Sequence, residues 1–200
     1  ANSFFAVVSY ETAGETLICS LASHQAVEKI FKDHKNEIAA IIVEPLPANN
    51  GLLIQDNHFL AFLREITKKN QSLLIFDEVI SGFRVGFKGM ANDVDITPDI
   101  VTYGKIIGGG MPVGAVAAKA EIMQHLAPAG SVYQAGTLSA NPVAMAAGLA
   151  TLKQLDEKFY KDLNAKSQEI TTLLSQWMKE NGFEDYSITS YKSLFWPAPL

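Results

Sequence analysis

The sequence predicts an α/β fold, built on a mostly parallel sheet with helices on both faces. Three observations carry this. The apolar runs at residues 38–43 (IAAIIV), 73–76 (LLIF) and 100–103 (IVTY) are short and flanked by helical patterns, as the inner strands of a parallel sheet are. Each run ends in a polar word: Glu44-Pro45, Asp77-Glu78 and Gly104-Lys105. A helical pattern between the first two runs completes a strand–helix–strand unit, whose crossover is expected to be right-handed. In such sheets ligands bind beyond the carboxyl ends of the strands. An acid and a lysine about 28 residues apart in the chain are thereby placed to face one pocket.

Taken in order, residues 1–20 are poor in signal; 4–10 read as a strand and 12–15 as a turn. Residues 22–36 carry Ala26, Val27, Ile30 and Phe31 at helical spacing, with Ser23 as N-cap. His24 and His34 on this helix are expected at the surface, since neither has a second histidine four residues on. After the first strand, Pro45, Pro47 and Gly51 force an irregular loop. Residues 56–69 read as a helix burying Phe59, Leu60, Phe62, Leu63 and Ile66, with His58 solvated. Gly82, Gly86 and Gly89, interspersed with Arg84 and Lys88, make 79–90 a loop. It either steers an anionic substrate or is simply solvated, and the sequence leaves both open.

Asp93, Asp95, Thr97 and Asp99 alternate as in a calcium loop, but Pro98 stands where the turn glycine belongs and Gly104 where the closing glutamate belongs. Calcium is rejected. Gly108-Gly109-Gly110 lacks the spacing of a phosphate loop, so its expected role is to let the backbone after Lys105 pass closely under a flat ligand. Residues 112–118 return as a strand, 121–126 form a short helix and 127–130 a loop. Asn141 as N-cap and Pro142 at N1 start an alanine-rich helix over 143–155 suited to close packing. Residues 156–180 form a long amphipathic helix with Phe159, Leu163, Ile170, Leu173, Leu174 and Trp177 on its apolar side, ended by Gly182. Residues 186–200 are aromatic and apolar, without a readable pattern.

With 48% hydrophobic and 18% charged residues the chain has material for a sizeable core, which excludes disorder. A net charge of -5 argues against nucleic acid or an anionic membrane as partner, and no apolar run approaches a membrane span. A single cysteine, Cys19, permits neither an internal disulfide nor a cysteine metal cluster and fits a reducing, cytosol-like compartment. The sequon at Asn70-Gln71-Ser72 has no other sign of secretion beside it, and no signal-peptide pattern is present.

The chemistry follows from the two strand-end residues. A lysine amine condenses with carbonyls and an aspartate can hold a ring nitrogen protonated, the two protein groups that pyridoxal phosphate chemistry requires. Gly136 and Thr137 offer a backbone amide and a hydroxyl of the kind that bind phosphate oxygens. Taken alone, Asn49 is an ordinary turn residue.

The words FDEV, TYGKIIGGGMPVGA and VYQAGTLSANPVAMAAGLATL, in this order, resemble the class III (fold type I) aminotransferases. Within that family the wording is nearest to the aminomutases of glutamate 1-semialdehyde, and it extends from about Ala22 to about Gly182. The resemblance implies that Lys105 links to pyridoxal 5'-phosphate and then shuttles protons, with the pyridoxamine form entering the cycle. Asp77 pairs with the ring nitrogen, Val79 packs on a ring face, Asn49 reaches the ring hydroxyl, and Gly136 and Thr137 take the phosphate. Thr137 serves the neighbouring subunit, so the resemblance implies a homodimer. It implies 5-aminolevulinate as product, and a cytoplasmic or, in a plant or alga, plastid-stromal setting. Residues 1–155 would belong to the large cofactor domain, and 156–200 to a connecting helix and the start of a small C-terminal α/β domain.

Two departures are small: Ala48 and Ala140 stand where the family usually writes glycine. A larger one is length. The family's chain is about twice this long, and its N-terminal half, with the phosphate loop, the stacking aromatic and the lid, has no counterpart here. Little or no activity is therefore expected of this chain in isolation. Three other readings remain: another class III aminotransferase acting on an omega-amino or amino-acid substrate, a non-catalytic fold-type-I relative, or a nucleotide-binding doubly wound domain. The joint presence of Lys105 and Asp77 speaks against the second. The missing glycine-rich turn after a first strand speaks against the third.

Overall fold

The computed structural model describes residues 14–200, so the expected strand at 4–10 lies outside the described residues. Helix α1 (His24–Asp33) starts where Ser23 Oγ accepts the Ala26 amide at 3.2 Å. Strand β1 (Ala40–Val43) follows, then helix α2 (Asn57–Lys69), capped by Asp56 accepting from the His58 amide at 2.9 Å. Each cap satisfies an amide that the first helical turn leaves without a partner. Strand β2 (Leu73–Glu78) leads to a short helix α3 (Gly89–Asp93), strand β3 (Ile100–Tyr103), a single 3-10 turn over Lys105–Gly108 and strand β4 (Ala115–Ala118). Helices α4 (Ala120–Met123), α5 (Pro142–Leu152) and α6 (Glu157–Glu180) precede a hairpin of β5 (Tyr186–Tyr191) and β6 (Leu194–Pro199).

The sheet order is β1-β2-β3-β4, with the first three strands parallel and β4 antiparallel to β3. This is the α/β sheet with a parallel core that the alternation of elements predicts. Its burial is one-sided. Leu74, Phe76 and Glu78 alternate along β2 as wholly buried residues, while Leu73, Ile75 and Asp77 between them are half-buried. The sealed face holds Leu74 and Phe76 against Val27 and Phe31 of α1 and Phe59, Leu60 and Leu63 of α2. Each such fully buried large side chain contributes about 1.5–3 kcal/mol. On the opposite face Ile42 is 64% and Val116 52% exposed. Register puts Asp77, Thr102 and Val116 side by side on that open face, since residues opposite one another share a face.

A polar staple fixes the amino ends of β2 and β3. Asp99 Oδ2 accepts the Leu74 amide at 2.7 Å and Arg64 Nη1 at 2.8 Å, and Arg64 also reaches the Thr97 carbonyl and Thr67 Oγ1. Asp99, read from sequence as part of a calcium-like alternation, is thus a strand-pairing residue.

Helix α6 packs by its less apolar side. Its apolar stripe faces outward, with Ile170, Leu173 and Trp177 51%, 59% and 52% exposed, and Phe159 is exposed as well. The line turned inward is Tyr160, Ser167 and Met178, with Leu163 and Leu174 half-buried at its border. Amphipathic periodicity locates an apolar face but not the neighbour it meets. Among the described residues, α6 is tied down where Tyr160 Oη donates to the Phe83 carbonyl at 2.8 Å and where its last turns meet the hairpin. The hairpin, unforeseen from sequence, is paired along its whole length. It lays Tyr191 and Leu194 on a second core of Leu46, Leu52, Val85 and Met90.

Candidate active site

Parallel pairing brings the carboxyl ends of β2 and β3 level, with Asp77 opposite Thr102 and Glu78 opposite Tyr103. Asp77 Oδ1 accepts the Val79 amide at 3.0 Å and Thr102 Oγ1 at 3.2 Å. Among the described residues Oδ2 has no hydrogen-bond partner, so one carboxylate oxygen is anchored and the other is presented. Thr102 was not foreseen as part of the site. Only register reveals it, and register is not written in either strand.

Beyond Tyr103 the chain passes Gly104, where a Cβ would stand 3.1 Å from Val79 Cγ1. The Val79 side chain therefore packs directly on the backbone that leads into Lys105. Lys105 itself is exposed and has a φ of 46°, in the left-handed region, an uncommon and costly conformation for a side-chain-bearing residue. Among the described residues its amine makes no ion pair or hydrogen bond.

The turn after Lys105 is held from behind by α5. At Gly109, where φ is 57°, a Cβ would run into the Ala147 carbonyl and come within 2.5 Å of Thr151 Oγ1. At Gly148 it would meet the Ile107 carbonyl. Two glycines thus let the lysine turn and the alanine-rich helix touch backbone to backbone. Gly109 of the triple glycine thus has a packing role against α5 that the sequence did not announce.

Glu78 is the second residue that sequence reasoning passed over. Its carboxylate is wholly buried; Oε2 accepts the Met90 amide at 2.6 Å and Ser81 Oγ at 3.1 Å, and Oε1 accepts the Ala91 amide at 3.0 Å. Burial pushes this carboxyl above its ordinary range, the three hydrogen bonds oppose that rise, and the Asp93 charge adds to it. The signal was present in the alternation Leu74, Phe76, Glu78, which places an acid on the sealed face. The loop at 79–90 is fixed by this acid rather than free in solvent.

Asn49 lies exposed in the loop after β1, at the same edge of the sheet, where the Leu53 amide reaches back to the Pro47 carbonyl at 2.8 Å. Gly136 and Thr137 occupy an exposed turn closed by the Ser139 amide on the Gly136 carbonyl, and no described hydrogen bond joins that turn to Asp77 or Lys105. Val79 thus links Asp77, through its amide, to the chain entering Lys105, through its side chain on Gly104, and Asn49 lies in the loop beyond β1 at the same sheet edge. Among the described residues this edge is an open shelf, with Asp77 half-buried and Lys105 exposed. Two shallow surface concavities lie between the end of α6 and β5 around Lys179, Phe183 and Tyr186, and at the start of α6 around Phe159 and Asp162.

Residues 5–187 match the family model described as Aminotransferase class-III. A curated relative, glutamate-1-semialdehyde 2,1-aminomutase of Leptospira interrogans serogroup Icterohaemorrhagiae serovar Lai, is 46% identical over 197 residues, or 98% of this chain and 44% of its own. Among solved structures, an omega-transaminase from Sphaerobacter thermophilus superposes with a TM-score of 0.87 at 34% identity, covering 96% of this chain and 44% of that one. A transaminase with PLP bound superposes with a TM-score of 0.83 at 28% identity, covering 90% and 43%. The chain thus spans less than half the length of the curated relatives it matches.

Proposed function

Because the chain belongs to the class-III aminotransferase family, we propose that it is the core of a pyridoxal-phosphate-dependent aminomutase that converts glutamate 1-semialdehyde to 5-aminolevulinate. The observation that carries this reading is the pair at the strand ends: Asp77 with one oxygen anchored and one presented, and Lys105 in a left-handed turn with no ion pair among the described residues. Further support comes from relatives that bear the aminomutase name.

The residues fit the cofactor. A protonated ring nitrogen requires an acceptor that is held in place yet not consumed, and Asp77 Oδ2 is such an acceptor. A ring face requires a flat apolar contact, which Val79 supplies while seated on Gly104. When bound, pyridoxal phosphate provides a carbonyl that condenses with amines and a ring that withdraws electrons from the carbon beside the nitrogen. Lys105 would hold that carbonyl through its amine and, in its neutral form, would act as the base that moves the proton at the substrate carbon. Asp77 would keep the ring nitrogen charged, Asn49 would reach the ring hydroxyl, and Gly136 and Thr137 would bind phosphate.

The exposed turn of Thr137, which no described hydrogen bond joins to Lys105, supports service to a neighbouring subunit, so we place the protein in a homodimer. We assign residues 1–155 to the large cofactor domain and 156–200 to the connecting helix and the start of the small domain, in a cytoplasmic or plastid-stromal enzyme. Transfer of an amino group between two different substrates is the second reading, favoured by the likeness to the omega-transaminase.

The test is the absorbance spectrum with pyridoxal phosphate, before and after borohydride, for this chain and for Lys105→Ala. A band that borohydride fixes covalently at Lys105, absent from the variant, supports the cofactor assignment. Formation of 5-aminolevulinate from glutamate 1-semialdehyde by a protein of the relatives' full length separates the aminomutase from the transaminase. If that longer protein gives no band either, the pyridoxal reading falls.

A further inference from the structure

Asp77 and Glu78 are consecutive but point to opposite faces of β2, one to the open shelf and one into the sealed core. The mechanism uses only the first. The second is a buried acid with three donors, and those donors come from two directions. Met90 and Ala91 offer the first amides of α3, a helix whose own N-cap residue, Lys88, makes no side-chain cap bond. Ser81 donates from the turn that follows β2. The backbone of Glu78 serves the same turn, since its carbonyl accepts the Gly82 amide at 2.8 Å. That turn is tight: a Cβ on Gly82 would lie 2.6 Å from the Glu78 carbonyl and 2.6 Å from Tyr103 Cδ1. The residue at its start is Val79, whose amide is one of the two donors holding Asp77 Oδ1.

We propose that Glu78 is a positioning residue for Asp77: by clamping the 78–82 turn and the start of α3 from inside the core, it fixes the Val79 amide and through it the orientation of the Asp77 carboxylate. The role assigned to Asp77 rests on the function proposed above, but the clamp is a property of this chain alone and is measured without cofactor. The clamp differs from a simple helix cap in one respect. A cap protects only Met90 and Ala91, whereas the clamp protects Val79 as well.

Amide hydrogen exchange on the full chain distinguishes the two, using Glu78→Gln and Ser81→Ala. Glu78→Gln turns one acceptor oxygen into a donor facing a backbone amide, and Ser81→Ala removes only the link to the turn. In Glu78→Gln, exchange at Val79, Met90 and Ala91 is expected to quicken together by about tenfold or more, while Leu74 and Phe76 in the same strand keep their protection. Ser81→Ala quickens Val79 in the same direction and leaves Ala91 unchanged. If Glu78→Gln loosens the whole chain, Ser81→Ala alone decides. Unchanged protection at Val79 in Ser81→Ala, or loss at Met90 and Ala91 without loss at Val79 in Glu78→Gln, overturns the proposal and leaves Glu78 a cap. A second readout concerns Asp77 directly: with pyridoxal phosphate bound, the pH dependence of its absorbance band should shift in Ser81→Ala as it does in Asp77→Asn. A clamp that passes the exchange test in a chain that yields no such band separates failure of the cofactor reading from failure of this one.

Discussion

At the scale of single residues, the glycine that supports the lysine turn makes the sharpest prediction. Gly109 combines a left-handed backbone with no room for a methyl group against α5. Gly109→Ala should therefore lower stability by about 1–3 kcal/mol, read as a lower urea midpoint at unchanged slope. Gly114 has open space around it and no such backbone, so Gly114→Ala serves as the control and should move the midpoint little. The sequence made Asp77 and Lys105 legible because each interrupts an apolar run with a polar group at its carboxyl end. It did not disclose Thr102, whose contact depends on register between strands far apart in the chain. It named the triple glycine but not its partner, since a need for close approach says nothing about what approaches.

Among the elements, starts and caps were the most legible features. Ser23, Asp56 and Asn141 cap as their residue types dictate, because a cap is decided within four residues. The hairpin was not legible: Pro197 and Pro199 break the alternation of β6, and Lys192-Ser193 is not a pair that announces a two-residue turn. Helix α6 was half legible, in that its periodicity marked an apolar stripe whose orientation only tertiary contacts fix. Leu173→Gln should change stability by no more than about 0.5 kcal/mol in urea unfolding, because the side chain is exposed. Met178→Ala, on the inner line, should cost about 2 kcal/mol or more by chemical denaturation. The reverse ranking would place the stripe in the core after all. The Arg64–Asp99 staple joins α2 to the paired ends of β2 and β3. Asp99→Asn weakens a charge-assisted bond while keeping the shape, so a loss of about 1–3 kcal/mol in thermal or urea unfolding is expected.

Over the whole molecule, the mostly parallel α/β sheet followed from the sequence, whereas its one-sided burial did not, because burial depends on what covers each face. The same holds for the tie between the sheet and the C-terminal hairpin. That tie is polar. Asp93, at the end of α3, accepts Tyr191 Oη at 3.2 Å and pairs with Lys192 at 3.1 Å. Burial first, then the Asp93 charge and hydrogen bond, push the Tyr191 phenol up to about 12 from its ordinary value of 10.0. A phenol whose ionisation is raised by folding stabilises the folded state fully while both states keep the proton, which is below about pH 10. As pH rises from there, the unfolded chain gives up the proton and the folded chain does not, so stability falls until the folded phenol also ionises near pH 12. Other tyrosines and lysines titrate in the same range, so the informative quantity is the difference between the parent and Tyr191→Phe. At pH 7 the variant should be less stable by about 1 kcal/mol, for the lost hydrogen bond. Above pH 10 the two melting curves should converge, because only the parent loses the phenol's contribution. Parallel curves across that range would mean that Tyr191 ionises alike in the folded and unfolded chain, and that neither burial nor Asp93 raises its ionisation.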